Sequence, residues 1–418
     1  MTETQNNDSS FQKLRIVQVT GSWPPMPCGV GDNTSMLVKH LAGLGHEIHV
    51  VTSKKADGAC LQENVFIHPV MNGWSYFNGG MLLKTVLSIE ADIIHLQYPT
   101  KGYGRGFAPS LLGMQLKSRR SPAPYLVTLH EFYHANALRK AAVMPLLSEA
   151  SMVIFPSIQE RDALNKRFDS LKRIPKRVIP IGPVIPDNYE ELKNRLDLNR
   201  NALKGKWGVP SDGVIVNYGF LQPHKGFETL IRAMAILRKS GYNCELWHVG
   251  RFDPHKRSYD RFLKFISNEG VLKGAVKFHG YLPFEDAAEI FTIARAGVFP
   301  FTDGYSDRRS SMITFAFFDA PLVTTMSTSG EVNDRIRSHV TMVVPNHPVQ
   351  LAEKIEEIIA NDAVYTNQKE RAIGFKDLYD WDMIAQKTIQ AYVDLLEARP
   401  EGMPEEREEE VHARKNTE

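Results

Sequence analysis

Short apolar runs alternate with longer stretches whose apolar positions recur every three or four residues, and this alternation persists along most of the chain. Leu14–Thr20, Glu47–Thr52, Asp92–Leu96, Tyr125–Leu129 and Met152–Phe155 read as strands buried on both faces. Between the first two, Thr34–Gly45 carries Met36, Leu37, Leu41 and Leu44 at helical spacing. Such repetition predicts an α/β fold made of doubly wound parallel sheets.

The rhythm breaks at Ile181–Gly205, where three prolines precede a charged segment, and this predicts a junction between domains. A second series follows, with strands expected at Val214–Tyr218, Glu245–Val249, Val276–Phe278, Gly297–Phe299, Leu322–Thr324 and Met342–Val344. A last helix is expected over Trp381–Leu396. The expected organisation is a disordered N-terminus over 1–12, one Rossmann-like domain over 13–190 and a second over 191–375. A C-terminal helical segment spans 376–398, and a charged tail without aromatic residues, expected to be disordered, spans 399–418. Two such domains leave a cleft at the carboxyl ends of both sheets, where open α/β folds bind ligands.

Composition narrows the function classes. The chain has 418 residues, 43% apolar and 23% charged, which excludes whole-chain disorder and collagen-like repeats. Lys+Arg total 50 against Asp+Glu 48, and this balance argues against a nucleic-acid coat protein. Cys28, Cys60 and Cys244 form no Cys-x-x-Cys pair, so neither a zinc ribbon nor a disulfide framework is expected. The start MTETQNNDSS lacks the apolar core of a secretory signal, and no apolar run approaches a membrane span of about 18–20 residues. The expected location is the cytoplasm, with peripheral contact at the inner face of a membrane as an extension.

Four segments carry candidate chemistry. Gly21–Gly31 (GSWPPMPCGVG) lies between a strand and a helix, where free N–H groups of Gly29, Val30 and Gly31 suit a phosphate or sugar oxygen. A dinucleotide site is disfavoured, because Thr34 replaces the third fingerprint glycine and Thr52-Ser53-Lys54-Lys55 lacks a ribose-binding acid. His130-Glu131-Phe132-Tyr133-His134 matches the zinc-hydrolase pattern H-E-x-x-H, but His130 follows a strand pattern rather than opening a helix. Lys225 and Gly226 stand before a helix expected from about Phe227, a direct way to hold a diphosphate. Asp303-Gly304-Tyr305-Ser306-Asp307-Arg308-Arg309-Ser310-Ser311 places two arginines and several hydroxyls at another helix start. Each has a plainer reading: a tight turn, a structural histidine, a solvated lysine and a surface ion-pair network.

Taken together, these segments resemble the retaining nucleotide-sugar glycosyltransferases of family 4, which have the GT-B fold. The likeness rests on the loop Pro24–Gly31, on Thr128-Leu129-His130, on Gly219-Phe220-Leu221-Gln222-Pro223-His224-Lys225-Gly226, and on the tryptophan-bearing final helix, over roughly residues 14–397. The resemblance implies two Rossmann-like domains facing across a cleft, with the final helix returning to the first. It implies transfer of a hexose with retention, from a nucleoside-diphosphate sugar (UDP-hexose as the commonest guess) to a glycan or lipid-linked acceptor in bacterial surface polysaccharide assembly. No metal or cofactor is called for. His130, Lys225 and Asp303 become the catalytic candidates. Lys225, Gly226, Asp303, Gly304, Tyr305, Ser306, Arg308, Arg309 and Ser310 become the donor contacts, and Gly29, Val30 and Gly31 the acceptor-side loop.

Two departures stand out. Phe220 occupies the position of the family's diphosphate-binding arginine, and Ser311 or Thr314 occupies that of its second glutamate. A catalytically degenerate GT-B scaffold subunit is therefore the main alternative, with a GT-B phosphorylase or sugar-phosphate synthase and an H-E-x-x-H zinc hydrolase behind it. Seven basic residues from Arg161 to Arg177, interleaved with Leu164, Phe168, Leu171 and Ile174, nominate a face for anionic lipid, against the plainer reading of a core stripe below a solvated basic face.

Overall fold

The computed structural model describes residues 12–56, 62–133, 135, 137–252 and 259–398, without the side chains of 137–139. Nearly all of both segments expected to be disordered, together with Cys60 and His134, lies outside the described residues.

The first sheet holds β1 (Arg15–Val19), β2 (Glu47–Ser53), β3 (Val65–Met71), β4 (Ile93–Tyr98), β5 (Tyr125–Leu129), β6 (Met152–Phe155) and β7 (Lys176–Val178). All pair in parallel, in the order β3-β2-β1-β4-β5-β6-β7. Its connections carry α1 (Gly29–Gly43), α2 (Gly79–Ser88), α3 (Ala108–Ser118), α4 (Ala137–Leu147) and α5 (Ile158–Arg167). After a linker come α6 (Tyr189–Leu198) and α7 (Arg200–Trp207). The second sheet has β8 (Val214–Tyr218), β9 (Glu245–Val249), β10 (Val276–Gly280), β11 (Ala296–Phe299), β12 (Leu322–Thr325) and β13 (Thr341–Val343), in the order β10-β9-β8-β11-β12-β13. With it run α8 (Phe227–Lys239), α9 (Asp260–Asn268), α10 (Phe284–Ile293), α11 (Ser310–Ala316), α12 (Gly330–Ile336), α13 (Pro348–Ala360) and α14 (Asp362–Asp377). The chain then enters α15 (Trp381–Glu397).

The strand order reverses beside β1 and beside β8, so both sheets open their ligand-binding crevices next to these strands. The edge strands β3 and β7 are partly exposed and so lack the continuous apolar signature of the inner strands.

Period-two alternation sorts the first sheet into two cores. Val17, Val19, Ile94 and Val127 join the core that includes residues of α2, α3, α4 and α5. Ile16, Ile93 and Leu126 join the other, with Leu37 and Leu41 of α1 and Ile384, Ile389 and Tyr392 of α15. Thus α15 packs on the first sheet, although the second domain precedes it in sequence. Trp381 anchors its start: the indole N–H donates to Pro183 O at 2.8 Å, and a Cβ on Gly182 would lie 2.3 Å from the ring. Asp380 caps the helix by accepting from the N–H groups of Asp382 and Met383.

The basic stretch requires a correction. Leu164, Leu171 and Ile174 are buried and Phe168 packs against the same core, so the apolar side chains proposed for lipid are already used inside the protein. Lys172 pairs with Asp169, Arg177 with Asp394, and Lys176 donates to the carbonyls of Leu171, Lys172 and Ile174.

Candidate functional site at the carboxyl edges of the two sheets

On the first sheet the glycine loop leads into α1 at Gly29, five residues earlier than apolar spacing suggests. A Cβ on Gly31 would lie 2.8 Å from Ser22 O, so this glycine is demanded by close backbone approach. At Gly29 a Cβ would meet nothing within 4 Å, which leaves this first helical residue open to a ligand.

Asp32, in the first turn of α1, is a site residue that sequence reasoning missed. Burial pushes its carboxyl up to about 6, and its charge is felt by the Tyr218 hydroxyl at the end of β8.

His130 follows β5 directly, and its N–H donates to Tyr98 O at 2.7 Å. Its Nε2 meets Gln97 Oε1 at 2.8 Å, which makes Nε2 the protonated nitrogen and leaves Nδ1 as an acceptor. Burial holds the imidazole down at about 4, so it is neutral near pH 7. Behind it, Gln97 Nε2 donates to Gln18 Oε1 at 3.0 Å, and Gln18 Nε2 donates to the Tyr392 hydroxyl at 3.0 Å. That hydroxyl lies 2.7 Å from His95 Nδ1, while His95 Nε2 lies 2.7 Å from Thr128 Oγ1. The same alternation that sorts the cores places Gln18, His95, Gln97 and Thr128 on the α15 side of the sheet. A satisfied polar chain thus joins His130 to the C-terminal helix.

The zinc reading is overturned at its first step. His130 and Glu131 are not helical, and the metal geometry of H-E-x-x-H requires a helix. Among the described residues no group of three or more potential ligands is placed to hold a metal ion. Asp380-Trp381-Asp382 forms an Asp-x-Asp pair, but Asp380 caps α15 and Asp382 pairs with His40.

On the second sheet three parts converge. Lys225 ends a short 3-10 turn, and Nζ donates to Ser311 Oγ at 2.9 Å. Gly219 closes the same corner, since a Cβ there would lie 2.9 Å from the Ser311 Cβ and 3.8 Å from Nζ. Gly226 has a φ of +66°, and a Cβ there would lie 1.7 Å from Pro300 O, so no other residue fits. Burial, then Arg309 and Arg308, push the Lys225 ammonium down to about 7, with Asp303 opposing. An anion bound here would restore the full charge.

Arg309 is buried, stacks over Phe301 at 4.2 Å and pairs with Asp303. Arg308 lies 3.8 Å from Asp303 and 3.3 Å from Glu160, a carboxylate of α5 on the other side of the cleft. Glu160 was not foreseen. Ser157-x-x-Glu160 reads as a helix capping box, and Ser157 does cap α5, yet the carboxylate instead accepts from the N–H groups of Phe132 and Tyr133 at 2.6 and 2.7 Å.

Tyr305 departs from its expected role. It is fully buried, and its hydroxyl meets the Tyr379 hydroxyl at 2.6 Å, so its side chain serves the core rather than a donor. Tyr379 in turn donates to Asp307, which pairs with Arg335. Gly304 has φ +81° and packs against Met326 O. Ser306 is buried with an unpartnered hydroxyl, and Ser310 opens α11, half-buried. The two positions weighed for the second glutamate separate here: Ser311 faces Lys225, whereas Thr314 is buried and accepts from Val184 N at 2.9 Å, holding the linker. Phe220 is exposed.

Comparisons with known proteins agree with this fold. Residues 28–182 match the family described as Glycosyltransferase Family 4, and residues 212–361 match Glycosyl transferases group 1. Over 226 residues the chain is 21% identical to the serotype-specific mannosyltransferase WbdA of Escherichia coli, covering 54% of this chain but only 27% of that protein. Among solved structures, sucrose-phosphate synthase from Thermosynechococcus elongatus superposes with a TM-score of 0.66 at 20% identity, covering 93% of this chain and 100% of that one. A glycosyltransferase from Rickettsia africae gives 0.70 at 17% identity, covering 93% and 100%. Anabaena HepE, solved with UDP and glucose, gives 0.68 at 17%, covering 91% and 100%.

Proposed function

Because the chain belongs to the group 1 and family 4 glycosyltransferases and has their GT-B fold, we propose that it moves a hexose from a nucleoside-diphosphate sugar to a glycan or lipid-linked acceptor, with retention and without a metal. The observation that carries this reading is the convergence of Lys225, Ser311 and Gly219 at one corner of the second sheet, with Arg308 poised between Asp303 and Glu160. UDP and GDP sugars are the donors to test first, the second prompted by the likeness to a mannosyltransferase.

In this reading the diphosphate lies against Lys225, and the sugar extends toward His130. As the bond from C1 to the diphosphate oxygen breaks, negative charge grows on that oxygen, and Lys225 with Arg308 stabilises it. The acceptor hydroxyl forms its bond to C1 on the same face and passes its proton to the departing phosphate oxygen. Neutral His130 takes a sugar hydroxyl at Nδ1 and acts as a positioning group. Asp303 orients Arg309 and Arg308, while Ser306 and Ser310 offer hydroxyls near them. The acceptor enters beside Gly29, Val30 and Gly31, where Asp32 holds one of its hydroxyls. Closure of the two domains excludes water and limits donor hydrolysis. Polysaccharide or lipid-linked glycan assembly on the cytoplasmic side of a bacterial membrane is the setting proposed.

The test is release of nucleoside diphosphate from a panel of sugar nucleotides, with and without EDTA. Release that EDTA leaves intact supports metal-independent use of a sugar nucleotide, and the anomeric configuration of the product then tests retention; release that needs Mg²⁺ or Mn²⁺ removes metal independence. Exposed Phe220 and the hydroxyl at Ser311 favour one second reading, a GT-B subunit that binds nucleotide without turnover. Tight nucleotide binding with no release would select it.

A further inference from the structure

Of the large apolar side chains of the first domain that stand in solvent, five fall on the segments that follow β3 and β4: Tyr76, Phe77, Met81, Phe107 and Met114, with Phe77 91% exposed and Tyr76 67%. Tyr76, Phe77 and Phe107 lie on two loops that touch. Tyr76 and Phe77 pack edge to face at 5.9 Å. Phe107 sits between Gly106, where a Cβ would lie 2.2 Å from Trp74 O, and Ala108, whose N–H donates to that oxygen at 3.0 Å. The connections leaving β3 and β4 are thus pressed together. Gly79 at the start of α2 abuts Gln115 of α3, so the two helices that carry exposed Met81 and Met114 pack side by side. Apolar surface of this kind on a folded domain marks an interaction site.

Its charge identifies the partner. Lys84, Lys101 and Arg105 are exposed on the same elements and join no ion pair among the described residues. From residue 72 to 120 the acids are Glu90 and Asp92, which lie at the amino end of β4, away from the rim. The rim also adjoins the acceptor-side loop: Gly102 N donates to Ser22 Oγ at 2.8 Å, and Lys101 N to Cys28 Sγ at 3.5 Å.

We propose that this rim, formed by the turns after β3 and β4 and the outer faces of α2 and α3, docks on an anionic lipid bilayer. The aromatic rings enter the headgroup boundary while Lys84, Lys101 and Arg105 meet lipid phosphates. The proposal rests on the reading of the acceptor as lipid-linked, and it places the membrane beside the loop where that acceptor enters. The basic stretch from Arg161 to Arg177, with its apolar residues in the core, is not the docking face.

Flotation of the full chain with vesicles of phosphatidylglycerol and phosphatidylethanolamine tests this. The wild type is expected to float at low salt and to be released by high salt. The double variant Tyr76→Ser/Phe77→Ser is expected to partition about tenfold less or weaker still. Lys101→Gln and Arg105→Gln should each cost roughly fivefold, the worth of one basic residue near a charged surface. Lys172→Gln/Arg173→Gln should float like the wild type. Melting temperature and sugar-nucleotide binding are measured on every variant and should not change. A wild type that stays at the bottom at low salt, or a Tyr76→Ser/Phe77→Ser protein that floats normally, overturns the proposal. So does a wild-type dimer that these substitutions dissolve while no vesicle is bound, which would give the face to a second copy. Donor binding without flotation removes this inference and leaves the transferase reading; flotation without donor binding does the reverse.

Discussion

Glu160 and Arg308 meet at 3.3 Å from opposite sides of the cleft, and the same carboxylate receives the N–H groups of Phe132 and Tyr133. The segment just after His130 is thereby fastened to the arginine expected to help hold the donor diphosphate. One buried side chain thus touches both halves of the candidate site.

Glu160→Gln keeps an acceptor for the two N–H groups but removes the charge that faces Arg308. Breaking one partner of a buried charged contact is costly, here on the order of 1–3 kcal/mol. Lower stability in urea and a larger fall in kcat/KM than in sugar-nucleotide affinity are expected, since the pair spans the cleft. An unchanged kcat/KM would show that the contact is structural alone.

Lys225 carries a pH dependence. Burial and its arginine neighbours bring its ammonium down to about 7, so the free protein loses this charge as pH rises through 7. A bound diphosphate favours the protonated form. Affinity for a sugar nucleotide, whose own phosphates do not titrate in this range, should fall above pH 7 by up to tenfold per unit. Titration calorimetry from pH 6 to 9 checks this, and Lys225→Ala should bind weakly at every pH.

Arg308 and Arg309 have separable roles. Arg309 is buried against Phe301 and Asp303, so Arg309→Gln should destabilise the protein by about 1–3 kcal/mol. Arg308→Gln breaks the contact with buried Glu160 and so should also lower stability, but its distinguishing effect is to weaken a nucleoside diphosphate far more than its nucleoside. Equal losses for both ligands would make Arg308 a wall of the pocket rather than a phosphate contact.

Asp32 tests the acceptor side. Its carboxyl is raised to about 6 from an ordinary 3.8, so the folded state holds its proton more tightly than the unfolded chain. The cost to stability is absent below pH 3.8 and complete above 6. After screening by the solvent that reaches it, the cost is on the order of 1 kcal/mol. Asp32→Asn should therefore melt higher than wild type at pH 8, melt alike at pH 3.5, and raise KM for the acceptor without altering donor affinity.

Much of this architecture is legible in sequence, because buried parallel strands leave apolar runs and the cleft follows from strand order. His130 and Lys225 are legible too, since each sits directly where a strand or turn ends at that cleft. Glu160 is not, because its helix-start motif has a local explanation that hides a long-range partner. Gln18, His95 and Gln97 interrupt apolar strands with the same period, a usable signal of a polar chain inside a sheet. Their partner Tyr392, however, arrives from far along the chain. The lipid-facing reading of Leu164, Leu171 and Ile174 failed because helical spacing of apolar and basic residues is the same for a core stripe as for a membrane face. The start of α1 at Gly29 is hidden in the sequence because Gly29 and Gly31 fall in its first turn, where local propensity opposes a helix.

The most direct measurement is nucleoside diphosphate release by the wild type and by Lys225→Ala over UDP-glucose, UDP-galactose, UDP-N-acetylglucosamine and GDP-mannose. Turnover of at least one donor by the wild type is expected, with a loss on the order of 10²–10³ in Lys225→Ala and the melting temperature preserved. Release at near-normal rate by a folded Lys225→Ala protein would contradict that expectation.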